Sequence, residues 1–309
     1  MAISRPGQSN LAGDALALFL KVFSGEVLTE FETNLVFKDK HFMRQIANGK
    51  SAQFPMVGKS TINLHTPGND VTEDVVGHAE KVITIGSKVT AAHRIADIDE
   101  AMNHYDIRAP YSTEMGRALA KHYDYNVALS MLLAARSANP LTSRAGGTVL
   151  TDPDYASSGE DLEAALFTAA ETLDVKDVPM GETRYAYFRP AQFYLLAQRE
   201  KLISKDLGGS GEISKGSLAT VAGISLVKTN QVPAIDETAN AKLETHLRLN
   251  AATTVGLIGT PMAAGSVQLM ALQTEAERRI EKQDWFMVSG YVTGHDFLRP
   301  DCAIELKTA

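Results

Sequence analysis

The sequence predicts an α+β fold, and three observations support this prediction. Helical and strand-like patterns occur along the whole chain without the regular alternation that a doubly wound parallel sheet requires. A long helical pattern begins at Pro110 and ends before Asn139, whereas strand-like runs fill much of 260–309. With 309 residues, 44% of them hydrophobic, the chain is long enough for one large domain or two ordinary ones.

Charge and cysteine content exclude several functions. The formal net charge of -7 argues against a protein whose main task is binding nucleic acid, because that affinity comes from cations that neutralise phosphates. Cys302 is the single cysteine, so an intrachain disulfide and a thiolate zinc site are excluded, and a reducing compartment is expected. The apolar run at 15–23 contains Lys21 and lacks the flanks of a signal peptide, and no run reaches the roughly 18–20 residues that span a bilayer. We therefore expect a soluble protein with no membrane partner.

The N-terminal region predicts a mobile arm followed by an amphipathic helix. Residues 1–13 are rich in Gly, Ser, Asn and Pro, and Asp14 can cap a helix after them. Apolar residues then recur on one helical face. They are Leu16, Phe19, Leu20, Phe23 and Val27. This stripe must pack against another surface, and we expect Phe19→Asp to leave the monomer folded.

Residues 50–86 predict a long two-stranded excursion. Apolar residues alternate with polar residues or Pro before a turn signal at 67–70, where Pro, Gly and Asn favour turn geometry. The alternating apolar residues are Ala52, Phe54, Met56, Ile62 and Leu64. Residues 81–85 predict the returning strand. A ribbon of two strands is marginal alone in water, so we expect it to lie on another surface.

The middle of the chain predicts two helices in sequence. Residues 97–107 predict a short helix, and Pro110 is tolerated in the first turn of a longer one. Along the second helix, apolar and aromatic residues recur at helical spacing. They are Tyr111, Met115, Ala118, Tyr125, Leu129 and Leu132, with His122 in the same stripe. At about 1.5 Å per residue, this helix forms a rod of roughly 40 Å.

The remainder predicts a mixture of shorter elements. Ser158 can cap a helix whose stripe comprises Leu162, Ala165, Leu166, Ala169 and Leu173. Residues 184–188 predict a strand, 190–198 a helix and 208–211 a flexible loop. Further strands are predicted at 224–227, 265–271, 284–293 and 302–306.

Gly-Lys-Ser occurs twice, at 49–51 and 58–60, which raises the question of a nucleotide site. A P-loop requires a glycine five positions before the Gly of Gly-Lys-Ser and a helix after it. Arg44 and Gln53 occupy the glycine positions, and the residues after Lys59 predict a strand. The sequence therefore predicts two polar turns and no phosphate cradle.

Other chemical patterns are weak. Glu100 and His104 share a helix face and suit a metal, but acidic residues in a first helical turn also favour the helix dipole. His122 suits a buried, hydrogen-bonded histidine, and Cys302 shows no local sign of activation. Arg278 and Arg279 beside Glu275, Glu277 and Glu281 suggest a surface ion-pair cluster. The sequence predicts no catalytic, cofactor-binding or metal-binding residue.

Several long blocks resemble the major capsid proteins of T7-like short-tailed phages. The blocks are GDALALFLKVFSGEVLT (13–29), GKSAQFP (49–55), EKVITI (80–85), DEAMNHYD (99–106), and GH (294–295) with LRP (298–300). The resemblance is strong over roughly the first 125 residues and the last 20, and looser over 140–260, where it is carried by 184–190 and 221–233.

The resemblance implies the HK97-type capsid fold with four parts. Residues 1–48 are expected to form the N-terminal arm and 49–86 the extended E-loop. Residues 87–145 and 257–309 are expected to form the peripheral domain with its long spine helix, and 146–256 the axial domain. In this family the E-loop lies across a neighbouring subunit, which explains how an isolated ribbon is stable.

The resemblance also implies the function. It predicts a major capsid protein that self-assembles from hexamers and pentamers into an icosahedral shell, formed in the host bacterial cytoplasm with a scaffolding protein and a portal protein. The shell encloses double-stranded DNA without sequence-specific binding. The residues expected to contact other subunits are Leu16, Phe19, Phe23, Phe54, Ile62 and Leu64.

Two alternatives remain open at this point. An encapsulin-type nanocompartment shares the fold but encloses an enzyme cargo. A metal-dependent enzyme using Glu100 and His104 belongs to a different functional class.

Overall fold

The computed structural model describes residues 17–68, 70, 73–96, 98, 108–179, 181–199, 218 and 220–308. The chain divides into two compact units. Unit 1 comprises Met1–Val36, Gly86–Asp124 and Gln268–Thr293, and unit 2 comprises Phe37–Ile85, Tyr125–Val267 and Gly294–Ala309.

The helices and strands follow one another in an irregular order, as the α+β prediction requires. The helices are α1 Ala17–Asn34, α2 Arg108–Arg136, α3 Gly159–Val175 and α4 Pro190–Ala197. The first six strands are β1 Phe42–Gln45, β2 Ser51–Val57, β3 His78–Thr84, β4 Val89–Ala96, β5 Thr148–Thr151 and β6 Arg184–Phe188. The other six are β7 Thr220–Val221, β8 Ile224–Lys228, β9 Thr254–Gly259, β10 Ala264–Arg279, β11 Asp284–Phe297 and β12 Ala303–Lys307. Short 3-10 turns occupy Pro153–Ala156, Thr245–Leu247 and Pro300–Cys302.

Unit 1 packs helices against a sheet in which β10, β11 and β4 are neighbours in that order. Strand β11 runs antiparallel to β4, with a register that begins at Asp284 opposite Ala96. The core of the unit is a cluster of buried apolar side chains from helices α1 and α2 and from strands β4 and β11. These side chains are Val27, Ile95, Met115 and Met287.

Helix α1 lies very close to α2 at Gly116. A Cβ atom at this glycine would be 2.8 Å from the carbonyl oxygen of Val27 and 3.0 Å from Cβ of Glu30, so a larger residue would push the helices apart. The end of α1 is held by the buried Asp124, whose Oδ2 accepts a hydrogen bond of 2.7 Å from the backbone N–H of Val36. These contacts fix the second half of α1 against α2.

Unit 2 is built on a six-stranded mixed sheet with the order β5-β12-β9-β6-β8-β7. Strand β12 is parallel to β5 and antiparallel to β9, and β6 is parallel to β8. The sheet needs a glycine at 256, because a Cβ atom there would lie 2.5 Å from the ring of Phe188. Helix α3 begins as predicted, with Ser158 Oγ accepting the N–H of Asp161 at 3.3 Å, and its predicted apolar stripe is buried.

A buried carboxylate ties the end of α2 to the sheet of unit 2. Glu305 on β12 is fully buried and accepts hydrogen bonds from Nε and Nη2 of Arg136 at 2.7 and 2.6 Å. Thr254 Oγ1 donates a third hydrogen bond of 2.7 Å to the same carboxylate. This bidentate pair raises the pKa of Arg136, because the carboxylate stabilises the charged guanidinium.

The predicted elements from α2 to α4 are confirmed, as are strands β6 and β8. The predicted strand at 62–64 is wrong, because these residues have no regular secondary structure. The prediction missed β1, β4, β5, β7 and β9 and ended β10 and β11 too early. Within the predicted ion-pair cluster, Arg279 is corrected, because it pairs with Asp284 at 3.0 and 2.8 Å.

Some predictions fall outside the described residues. They concern the arm at 1–13, Leu16, the short helix at 97–107 except Ile98, and the loop at 208–211. Within the described ranges, no helix combines the length and apolar character needed to cross a bilayer.

Candidate assembly surface

The predicted excursion at 50–86 forms an antiparallel hairpin of β2 and β3. Its register runs from Ser51 opposite Thr84 to Val57 opposite His78. Side chains of β2 alternate between solvent and the interior of unit 2, and the inward ones are Ala52, Phe54 and Met56. The strands at the base are therefore part of the core of unit 2.

Strand β3 is clamped to its own unit by a close approach and a charged side chain. A Cβ atom at Gly294 would lie 2.3 Å from the carbonyl oxygen of Thr84, so only glycine lets the backbones meet. Lys81 Nζ lies 2.8 Å from Asp296 Oδ2 and 3.5 Å from the ring centroid of Phe297. This combination of ion pair and cation–π contact holds the middle of β3 in place.

Just beyond the ends of the paired strands, Ser143 and Arg144 form hydrogen bonds with the backbone of the hairpin. Arg144 Nε donates a hydrogen bond of 3.0 Å to the carbonyl of Val57, and the N–H of Lys59 donates one of 3.2 Å to Ser143 Oγ. The N–H of Gly58 is bonded to the carbonyl of Gly77 at 2.8 Å. We call the segment from Gly58 to Gly77 the projecting loop.

The two limbs of the projecting loop are joined through Asp74. Its Oδ2 accepts a hydrogen bond of 2.6 Å from the N–H of Thr61 and lies 3.4 Å from Ser60 Oγ. The hydrogen bond from the backbone of Thr61 is the main cause that lowers the pKa of this carboxyl below its ordinary value. Lys59 also forms an ion pair with Asp177, and this pairing lowers the pKa of Asp177.

Three large apolar side chains of the projecting loop are almost entirely in water. The exposed fractions are 95% for Ile62, 98% for Leu64 and 92% for Val75. Exposed apolar residues are common singly, whereas these three lie within one loop, which makes the loop a candidate contact surface. The structure thus combines a rigid base with an apolar end.

The residues predicted to contact other subunits have different environments. Ile62 and Leu64 are exposed on the projecting loop, whereas Phe54 is 9% exposed and packs edge-on against Phe42 with 5.8 Å between ring centroids. Phe19 and Phe23 belong to α1, and their side chains lie outside the described residues, as does all of Leu16. Sequence reasoning missed the exposed Val75. The available signal was its place directly after two acidic residues in a segment rich in turn-forming residues.

No phosphate cradle forms at the second Gly-Lys-Ser. The N–H groups of Gly58 and Lys59 are bonded within the chain, and no helix follows them. Burial raises the pKa of the Cys302 thiol to about 12, so this cysteine is unreactive. His122 is half-buried, with Nδ1 3.3 Å from the hydroxyl of Tyr291, in keeping with a structural role.

The candidate metal ligands Glu100 and His104 lie outside the described residues. In the part of the chain that the structure describes, no three His, Cys, Asp or Glu side chains form a group that could hold a metal ion.

Comparison with known proteins identifies the family. The model of the Gp10A-like family, described as major capsid protein, matches residues 53–307. The major capsid protein of Escherichia phage T7 is 31% identical over 323 residues, an alignment that covers 94% of this chain and 92% of the relative. The minor capsid protein of the same phage is also 31% identical, with 80% of that relative covered.

Solved structures agree with the sequence match. The capsid structure of cyanophage P-SCSP1u superposes with a TM-score of 0.82 at 41% identity and covers 100% of this chain and 99% of that one. The mature capsid of bacteriophage PhiM1 has a TM-score of 0.76 at 19% identity, covering 89% and 87%, and supports the fold alone. These matches favour a phage shell over a cargo-enclosing nanocompartment and over a metal enzyme. The chain has the HK97-type capsid fold, and proteins of this kind form a capsid shell from many copies. It is a structural component of a tailed-phage virion and not an enzyme. The chain therefore belongs to the Gp10A-like family of major capsid proteins.

Proposed function

We propose that this major capsid protein assembles into a closed icosahedral shell of hexamers and pentamers, and that the projecting loop supplies a main contact between neighbouring subunits. One observation carries the proposal: Ile62, Leu64 and Val75 are each more than nine-tenths exposed on a loop whose base is fixed. A loop that presents apolar side chains from a rigid support loses little conformational freedom when it binds.

The energetics favour assembly by many modest contacts. Burying one exposed Ile or Leu side chain contributes about 1.5–3 kcal/mol, which is too little to hold two subunits together alone. Each subunit in a shell is held by several neighbours at once, so these contributions act together. The same arrangement lets the shell form reversibly before it closes.

Helix α1 supplies a second surface in this proposal. Its first half carries Phe19 and Phe23, and Leu16 precedes it in the sequence. Its second half is fixed in unit 1 through Val27 and Gly116. We propose that the first half packs on a neighbouring subunit as part of an N-terminal arm at 1–48.

The remaining parts of the proposal follow the family resemblance. Residues 49–86 serve as the E-loop, 87–145 with 257–309 as the peripheral domain, and 146–256 as the axial domain. The shell forms in the host bacterial cytoplasm with a scaffolding protein and a portal protein and encloses double-stranded DNA. A net charge of -7 supports a container that does not bind its genome tightly, because tight binding would require cations against phosphates.

Electron microscopy of the purified chain tests the proposal. We would image the chain expressed alone and with a candidate scaffolding protein, and measure particle size by sedimentation. Closed shells or rings of five or six subunits are expected. A uniform monomer under both conditions would contradict the proposal. In the same assay, Phe19→Asp is expected to give folded monomer without shells, and normal shells from this variant would refute the role of α1.

A further inference from the structure

The turn between β1 and β2 contains the single Asn-Gly pair of the sequence, Asn48 and Gly49. Both residues are exposed, and neither belongs to a helix or a strand. An Asn-Gly pair is typical of turns. It is also the pair in which the side-chain amide of Asn reacts most readily with the next backbone nitrogen, because glycine has no Cβ atom to hinder the approach. The turn is therefore a candidate for chemical modification.

The fold leaves the reacting atoms of this pair accessible. Among the described residues, none forms a hydrogen bond with the N–H of Gly49 or with the side chain of Asn48. Apart from the chain neighbours, a Cβ atom at Gly49 would have Ser51 O at 3.8 Å and Ile46 Cδ1 at 3.9 Å as its nearest atoms. The space around the nitrogen is thus open, and the φ angle of 118° at Gly49 lies in a region that other residues rarely adopt.

Two other asparagines of unit 2 show how the fold can protect an amide. Asn230 is exposed, but the next N–H, that of Gln231, donates a hydrogen bond of 3.1 Å to Thr229 Oγ1. The side chain of Asn240 is held instead, because its Nδ2 donates a hydrogen bond of 2.6 Å to Glu237 Oε2. Each of these contacts must break before the side-chain carbon and the next nitrogen can react, whereas Asn48 has no such restraint among the described residues.

We propose that Asn48 deamidates spontaneously in the folded subunit. The backbone nitrogen of Gly49 attacks Cγ of Asn48 and loses its proton, and the side-chain nitrogen leaves as ammonia. The resulting succinimide takes up one water molecule and opens at either of its two carbonyl carbons. Opening at the side-chain carbonyl gives an ordinary aspartyl residue, and opening at the backbone carbonyl gives an isoaspartyl residue.

The reaction changes the base of the hairpin. Either product adds a negative charge to a turn that lies between Arg44 and Lys50 in the sequence, and the isoaspartyl product also adds one carbon to the main chain. The turn is held on both sides. Arg44 Nη1 donates a hydrogen bond of 3.0 Å to the carbonyl of Gln53, and the carbonyl of Lys50 accepts one of 2.8 Å from the N–H of Ile85. The additional carbon must therefore be accommodated within residues 46–49.

Peptide mapping of the aged chain tests the proposal. The purified, folded chain is incubated in neutral buffer, sampled over time and digested with trypsin, and the sample at time zero corrects for reaction during digestion. Trypsin releases residues 45–50 and 229–242 as separate peptides, because each is preceded by Lys or Arg and ends in Lys. Mass spectrometry measures the fraction of each peptide in which NH₂ is replaced by OH, and a protein isoaspartyl methyltransferase measures the isoaspartyl product. The second peptide contains Asn230 and Asn240 and is the internal control.

The modified fraction of peptide 45–50 is expected to rise steadily with time and to include isoaspartyl product, while peptide 229–242 stays at its starting value. Asn48→Gln is the matched variant, because it keeps the amide but its longer side chain cannot close a succinimide, and it should abolish the rise. A peptide 45–50 that reacts in urea-unfolded chain but stays unmodified in the folded chain would overturn the proposal, because the fold would then protect Asn48. Equal modification of both peptides would also overturn it, because the turn would then have no special reactivity.

Discussion

Truncating Ile62 and Leu64 together should weaken assembly without weakening the subunit. Both side chains are at least 95% exposed, so replacing them by Ala removes almost no contact from the free chain. We expect the free energy of unfolding of Ile62→Ala/Leu64→Ala to stay within about 0.5 kcal/mol of the unmodified value, as for other surface substitutions.

The effect on assembly follows from the carbon atoms removed. Each substitution deletes three carbons, and burial contributes about 0.8 kcal/mol per methylene, so the pair loses about 5 kcal/mol for each fully buried loop. Since about 1.4 kcal/mol corresponds to a tenfold change in an equilibrium constant, this loss weakens each contact by roughly three to four orders of magnitude. The value is an upper bound that incomplete burial in the shell would reduce.

Two measurements separate these effects. Urea unfolding of the unassembled chain gives the stability of the subunit, and light scattering gives the lowest protein concentration at which shells form. Val175→Ala is the control, because it also shortens an exposed apolar side chain of unit 2. The reasoning is refuted if the double variant assembles at the same concentration as the unmodified chain, or if its urea midpoint falls while that of the control does not.

Three further predictions concern the subunit itself. Arg136→Met should lower the free energy of unfolding in urea by about 3–5 kcal/mol, because it leaves the buried carboxylate of Glu305 without its ion pair. Adding Glu305→Met to the same chain should recover most of this loss. No recovery would show that the broken ion pair is not the cause. Gly116→Ala should destabilise the chain by about 1–3 kcal/mol despite the higher helix propensity of Ala, because the added Cβ would meet α1. Gly181→Ala is the control, because its Cβ meets no atom within 4 Å, and it should be neutral. Equal effects of the two substitutions would contradict the close approach of the helices. Because backbone hydrogen bonds hold the pKa of Asp74 below its ordinary 3.8, the tie across the loop is present at neutral pH and is lost as the pH falls through the lowered value. The protection of the Thr61 amide against exchange, measured relative to its intrinsic exchange rate at each pH, should therefore fall in acid, and Asp74→Ala should show low protection already at neutral pH, without an acid step.

Sequence reasoning succeeded where local signals agreed with the fold. For α3, the cap at Ser158 and the helical stripe both predicted the element, and the whole stripe is buried. Strand β6 was predicted with its observed bounds, because its aromatic residues lie between Gly181 and Pro190, which begins the next helix. In both cases the information lay within a few residues of the element.

The failures arose where a strand depends on distant partners. Residues 62–64 alternate like a strand, but β3 begins at His78 opposite Val57, so among the described residues no strand pairs with them. Strand β10 continues to Arg279, although charged residues interrupt its apolar run, because one face stays half-buried while the other is in water. Strand β9, which was missed, contains two glycines, which weaken a strand pattern, and the ring of Phe188 requires the glycine at 256.

The sequence predicted the position of the hairpin but not the contacts that fix its base. Turn residues and alternation located the hairpin, and the exposure of Ile62 and Leu64 agrees with a surface kept for a partner. The clamp at Gly294 and the pairing of Lys81 with Asp296 join positions more than 200 residues apart in the sequence. No local pattern carries that information, so the rigidity of the base emerged only from the structure.

A reconstruction of assembled shells by electron cryomicroscopy, at a resolution that shows side chains, tests the central claim most directly. The measurement is the density around residues 58–77 and the identity of the subunit whose atoms surround Ile62 and Leu64. The account predicts that both side chains are buried against a neighbouring subunit, with Asp74 still bonded to Thr61. Closed shells in which both side chains remain in water, or pack only on their own chain, would contradict the claim that the projecting loop holds the shell together.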